Sequence, residues 1–105
     1  MEITPQKLVE IASYFSVISH VKGRLRVRVN PKIKDEVSDV SLEDIQNLSK
    51  KIDGIKNIKV NKIVASVTIE YDNSIFAKEQ WDNLINGENL DEVIEIITNL
   101  QKEII

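Results

Sequence analysis

An α+β fold, with one antiparallel sheet and its helices on a single face, is predicted by three observations on this 105-residue chain. The stretch "RLRVRV", residues 24 to 29, alternates arginine with apolar residues, the period of a strand with one dry and one wet face. Two further short strands follow one another closely near residues 57 to 71, as in a hairpin. Segments of helical period lie before, between and after these strands.

Taken in order, "ITPQKLVEIASYF" places Thr4 before Pro5, a helix cap followed by the residue best tolerated in the first turn. Leu8, Ile11, Ala12 and Phe15 then share one side, which predicts a helix over about residues 5 to 14. "FSVISHVKGRLRVRVN" is β-rich, and Gly23 is read as a bulge or close approach between two strand pieces. Asn30-Pro31 ends the strand, because proline cannot donate to a ladder. "KIKDEVSDV" is a charged loop. Ser41 and Asp44 stand at capping-box spacing, and Leu42, Ile45, Leu48 and Ile52 carry a helical period, with Gly54 just past its end.

"NIKVN" and "IVASVTIEY" are the two strands of the hairpin. In the second, Ile63, Ala65, Val67, Ile69 and Tyr71 share one face, and Ser66, Thr68 and Glu70 the other. "AKEQWDNLING" is a short helix stopped by Gly87, with Trp81, Leu84 and Ile85 inward. "NLDEVIEIITNLQKEII" is a longer one, capped by Asn89 with Glu92 three residues on. Its stripe is Val93, Ile94, Ile97, Leu100 and Ile104.

The resulting order is helix, strand, helix, strand, strand, helix, helix. Its middle is most of a ferredoxin-like split βαβ sandwich, with an added N-terminal helix and a C-terminal helix in place of the last strand. One domain spans residues 1 to 105, with a core over about 18 to 86 and accessory helices at about 5 to 14 and 90 to 104. Arg24, Arg26 and Arg28 face outward, beside Lys59 and Asn61 on one neighbour and Ser66, Thr68 and Glu70 on another.

Composition narrows the chemistry. Hydrophobic residues make up 42% and charged residues 30%, as in ordinary globular proteins. The net charge is −3, so attraction for an anion must come from local clustering. No cysteine is present, which removes disulfides, thiolate metal sites and thiol catalysis together. With one histidine, His20, and the initiator as its only methionine, the chain has no set of soft-metal ligands. No apolar run approaches the roughly 20 residues that span a bilayer. "MEITPQKLVEI" begins polar and acidic, unlike a signal peptide, so the expected location is the cytoplasm.

"GRLRVRV", then "IDGIKNIKVN", then "SVTIEYDNS" followed by a helix, resembles the heavy-metal-associated domain over about residues 18 to 86. The closer likeness is to a cysteine-free branch whose first strand often reads H-x-x-G-R-x-R-x-R, here His20 to Arg28. Such modules occur near the N-terminus of metal-transporting P-type ATPases and as small separate proteins. Metal-carrying members hold a soft ion on a C-x-x-C loop after the first strand. Here that loop is "NPKIKDEVSDVS", without Cys, His or Met, so the resemblance implies no metal and no cofactor.

Each candidate site has a plain alternative. The arginines are either a solvated strand face, with cross-strand partners such as Glu70 or Thr68 for Arg26, or a docking face for carboxylate or phosphate. His20 is either a half-buried strand residue with one backbone hydrogen bond, or a metal ligand that needs help from a second subunit. Asp35, Glu36 and Asp39 lack the spacing of a calcium loop and read as solvated charge beside Lys32 and Lys34. The stripes of the terminal helices are core, or an oligomer contact if the core is closed without them. Ile104 and Ile105 favour docking of the tail.

The expected function is a non-catalytic binding protein. Arg24, Arg26, Arg28 and Lys59 would meet a protein partner, such as the acidic surface of a metal transporter, and a homo-oligomer is the other association considered. Anion or nucleic-acid binding through the same face is the alternative. Nucleic acid is not expected, because the outward strand positions lack aromatic rings for stacking bases. No nucleophile–base pair is evident, so the chain is not expected to be an enzyme.

Overall fold

A computed structural model describes residues 4–37 and 41–101, with only the backbone of Leu42. The expectations for Asp39, Ile104 and Ile105, and for the side chain of Leu42, lie outside the described residues. Helix α1 (Pro5–Ala12) starts as its sequence dictates, with the Thr4 hydroxyl accepting from the Lys7 amide and Pro5 in the first turn. Strands β1 (Phe15–Val21) and β2 (Arg24–Val29) follow. Short helices α2 (Ile33–Glu36), α3 (Leu42–Gln46) and α4 (Leu48–Lys51) lead to β3 (Ile55–Asn61) and β4 (Ser66–Tyr71). Helices α5 (Lys78–Asn86) and α6 (Leu90–Leu100) complete the chain.

The four strands form one antiparallel sheet in the order β1-β2-β4-β3. Strands β2 and β3 are therefore parallel with β4 between them, the split βαβ arrangement. The place of a ferredoxin-like sandwich's last strand, beside β2, is taken by β1 from the N-terminal side. That is why the C-terminal segment is free to remain helical. Gly23 is not a bulge. Val21 pairs with Arg24, so Lys22 and Gly23 are the two central residues of a hairpin turn, and Gly23 takes φ +92°. The actual irregularity of β1 falls between Val17 and Ser19.

The dry face of the sheet meets the helices. Leu25, Val27 and Val67 are fully buried, and with Ile58, Ile69 and Tyr71 they pack against Leu8, Ile11, Trp81, Leu84, Val93 and Ile97. Burial of each such aliphatic side chain contributes about 1.5–3 kcal/mol. Helices α1 and α6 pack against each other, so their apolar stripes are core.

Three local readings change. The helix expected after Ser41 is broken at Asn47 into α3 and α4, although its capping box forms in both directions. The loop "KIKDEV" contains the single turn α2, held by buried Ile33 and Val37. Strand β4 begins at Ser66, so Ile63 and Ala65 belong to the preceding turn, where Ile63 is 96% exposed. At α6, Asn89 stands at the cap position in a left-handed conformation and its side chain makes no cap bond; its amide donates to Asn83 Oδ1 at 3.5 Å.

Candidate functional site

Alternation on β2 sends Leu25, Val27 and Val29 inward and the three arginines outward. Because β2 is an interior strand, its outward side chains stand within rows that cross the sheet. Val21, Arg24, Glu70 and Asn57 form one row. Ser19, Arg26, Thr68 and Lys59 form the next, and Ser16, Arg28, Ser66 and Asn61 the third. Successive arginines are about 6.6 Å apart along the strand. Among the described residues no helix covers this face, and all three arginines are exposed.

Glu70 is the sole acid in these rows. Its carboxylate lies 3.8 Å from Lys59 Nζ and accepts a 3.4 Å hydrogen bond from Asn57 Nδ2. Among the described residues, none of the three guanidinium groups forms an ion pair or hydrogen bond with another side chain. The cross-strand partner expected for Arg26 is therefore not engaged. Helices α5 and α6, on the opposite side of the sheet, carry Glu79, Asp82, Asp91, Glu92 and Glu95 against Lys78, with Glu88 in the link between them. The net charge of −3 thus conceals a cationic sheet face and an acidic helical face. The aromatic rings lie elsewhere. Tyr71, Phe76 and Trp81 are buried in contact, with ring centroids 5.3 and 4.5 Å apart, and Tyr14 and Phe15 pack against the core.

His20 pairs with Leu25 and so points inward, with its side chain 5% exposed. Its Nδ1 lies 2.9 Å from Asp82 Oδ1 and its Nε2 2.8 Å from Tyr71 Oη. Tyr71 Oη is also 3.4 Å from the Val21 carbonyl, and Lys78 Nζ is 3.3 Å from Asp82 Oδ2. Burial opposes ionisation of Asp82, but hydrogen bonds from His20 and Lys78, together with their charges, hold its carboxyl below the ordinary carboxylate range. Burial pushes the Tyr71 phenol up.

Both ring nitrogens of His20 are engaged by side chains, Nδ1 by Asp82 and Nε2 by Tyr71. The array ties β1 to β4 and α5. Sequence reasoning gave His20 a single backbone bond and missed Tyr71, Asp82 and Lys78. The available signal was the i, i+4 spacing of Lys78 and Asp82 on one helix.

In the segment after β2, Asn30 Oδ1 accepts from the Lys32 amide, and Glu36 accepts from the Tyr14 hydroxyl. Hydrogen bonding to Glu36, with burial and that carboxylate's charge, pushes the Tyr14 phenol up to about 12. Among the described residues, no three His, Asp or Glu side chains converge to hold a metal ion. None of the described helices is long and apolar enough to cross a membrane.

A family model described as heavy metal associated domain 2 matches residues 6–104, nearly the whole chain. The match includes both accessory helices and so extends beyond the 18–86 core of the resemblance. No curated protein and no solved structure matches the chain.

Proposed function

We infer the function from two premises: the chain belongs to the heavy metal associated domain 2 family, and its open sheet face carries three arginines without an acidic partner. The proposed function is a non-catalytic binding module that acts by protein–protein contact in metal transport or homeostasis. The observation that carries this reading is the row Arg24, Arg26, Arg28 on an interior strand, exposed and unpaired. Guanidinium forks at that spacing suit carboxylates on a partner surface, and a rigid strand holds them at little entropic cost. Lys59 extends the cationic patch, although Glu70 partly neutralises it.

The absence of rings from this face argues for a protein rather than a nucleic acid as partner. The engagement of both His20 nitrogens supports a non-catalytic role.

The test is affinity capture with the wild-type chain and with Arg24/Arg26/Arg28→Glu, both checked for folding by circular dichroism. The wild type is expected to retain a metal-transport or metal-handling protein with an acidic contact surface, and the variant to lose it. Equal capture by both chains overturns the reading. So does recovery of RNA in a salt-dependent manner, or hydrolysis of acyl phosphates that disappears in Arg24→Ala.

A further inference from the structure

The two edges of the sheet differ. β3, at one edge, carries Lys56 and Lys59, both exposed, and the chain entering it bridges to Gln101. β1, at the other, reads FSVISHV, a strand without Asp, Glu, Lys or Arg. Among the described residues β2 is its sole partner, so one side of its backbone is unpaired. Val17, Ile18 and Val21 on it are 47%, 44% and 62% exposed. Natural sheet edges are commonly guarded by charge, lysine above all, because unpaired N–H and C=O groups are a template for another strand. β3 has that guard and β1 lacks it. The irregularity at Ile18 shortens the regular part of the edge, but Phe15–Val17 and Ser19–Val21 on either side keep their register with β2.

β1 also stands between this edge and the arginines. Ser16 is opposite Arg28 and Ser19 opposite Arg26, on the uncovered face, and both serines are exposed. The irregularity absorbs Ile18, so the two serines face arginines about 6.6 Å apart, the i, i+2 repeat of a regular strand. A strand added beside β1 would set its outward side chains in the same rows, about 10 Å from β2. Over a side chain as small as serine, an arginine and a glutamate together span that gap. The other face of the added strand would lie next to Val17, which pairs with buried Val27 on the helical side of the sheet yet remains half exposed.

We propose that the β1 edge accepts an extended segment of the protein partner in which carboxylates alternate with apolar residues. The carboxylates would meet Arg26 and Arg28, the apolar residues would cover Val17 and Ile18, and the main chain would add a fifth strand to the sheet. The arginines set the sign of charge, because each guanidinium offers a fork of donors to a carboxylate. The two faces of β1 set the alternation. The edge pairing presupposes the carboxylate docking proposed above and specifies how the carboxylates are presented.

The test uses the full chain and three synthetic peptides with blocked ends. They are Ser-Glu-Val-Glu-Val-Glu-Ser, the same peptide with Lys for Glu, and Ser-Glu-Glu-Glu-Val-Val-Ser, which keeps the composition and loses the alternation. Amide shifts and amide exchange are followed by NMR. The alternating acidic peptide is expected to shift residues 16–21 in a saturable manner and to slow their exchange. The block-order peptide is expected to bind several-fold more weakly, and the lysine peptide most weakly. Arg26→Glu/Arg28→Glu is expected to weaken the alternating peptide about tenfold or more, the scale of two exposed charge contacts. Val17→Lys/Ile18→Lys, checked for folding by circular dichroism, guards the edge and keeps the arginines. Its added charge would by itself favour an acidic peptide, so the several-fold loss expected reports strand pairing. The proposal is overturned by absence of saturable shifts, by equal binding of the alternating and block-order peptides, or by undiminished binding to Val17→Lys/Ile18→Lys. Shifts confined to β2, β4 and β3 also overturn it; if Arg26→Glu/Arg28→Glu still abolishes that binding, carboxylate docking on the arginines stands and the edge pairing alone fails. Equal binding of the acidic peptides to the wild type and to Arg26→Glu/Arg28→Glu overturns both.

Discussion

Arg24 and Glu70 face each other across the β2–β4 ladder, yet the Glu70 carboxylate is engaged by Lys59 and Asn57 from β3. A cation and an anion in direct register are thus left as separate features of the surface. The pair that does form spans 3.8 Å between side chains 72% and 44% exposed, so water screens it and it contributes at most about 1 kcal/mol. Glu70→Gln is therefore expected to shift the thermal midpoint by no more than a few degrees. The same change removes the sole acid from the cationic rows. Capture of an acidic partner should strengthen in Glu70→Gln and weaken with added salt. Calorimetric melting and a salt series on the captured complex check both statements.

The bonds of His20 set a second expectation. Asp82 is held below its ordinary value in the folded protein, so its ionised form binds the fold more tightly than its neutral form. The stability this supplies is present above the unfolded-state value of about 3.9 and is lost as pH falls through the lower folded-state value. Asp82→Asn should flatten that acid limb of the stability curve. His20→Ala strands the buried Tyr71 hydroxyl with only the distant Val21 carbonyl, which costs about 1–3 kcal/mol beyond the lost packing. Urea denaturation at several pH values separates the two effects.

A third expectation lies at Gly54. It adopts φ +91°, and its carbonyl accepts from the Asp72 amide at 2.7 Å. A Cβ built there would come within 2.9 Å of Ile75 Cγ2. Gly54→Ala therefore combines backbone strain with a close contact, and about 1–3 kcal/mol of destabilisation is expected. Gly87→Ala separates the two causes. Gly87 also has positive φ, but nothing lies within 4 Å of an added Cβ, so its cost should be the smaller. Paired denaturant titrations measure the difference.

The features legible in the sequence are those written in short periods. Alternation over Arg24–Val29 fixed the outward arginines, and Thr4-Pro5 and Ser41/Asp44 marked two helix starts. The pairing of β1 with β2 was obscured because Lys22-Gly23 interrupts a long run of strand formers, where one glycine reads equally as bulge or turn. That ambiguity hid the origin of the fourth strand. The His20–Asp82 contact joins residues 62 apart, and no local period reports a separation of that size. The low exposure of Ser66, 4%, was likewise invisible, because alternation assigns it to the wet face.

The last expectation concerns the two tyrosines, both of which are shifted upward by different causes. Tyr14 donates to Glu36, and ionising the phenol would place two negative oxygens against each other; its value rises to about 12. Tyr71 rises chiefly because burial disfavours the phenolate. Phenolate absorbance against pH should show no transition at the ordinary value near 10 while circular dichroism reports a folded chain. Glu36→Gln removes the charge and keeps a hydrogen-bond acceptor, so the Tyr14 transition should move back toward about 10. Tyr71, which has no contact with Glu36, serves as the internal reference and should stay where it was. A transition near 10 in the wild type, or a Tyr14 value indifferent to Glu36→Gln, would show that the carboxylate and the phenol are not joined in solution. The segment before α2 would then be tied to the start of β1 by the Asn30 amide, which donates to the Tyr14 carbonyl at 2.8 Å.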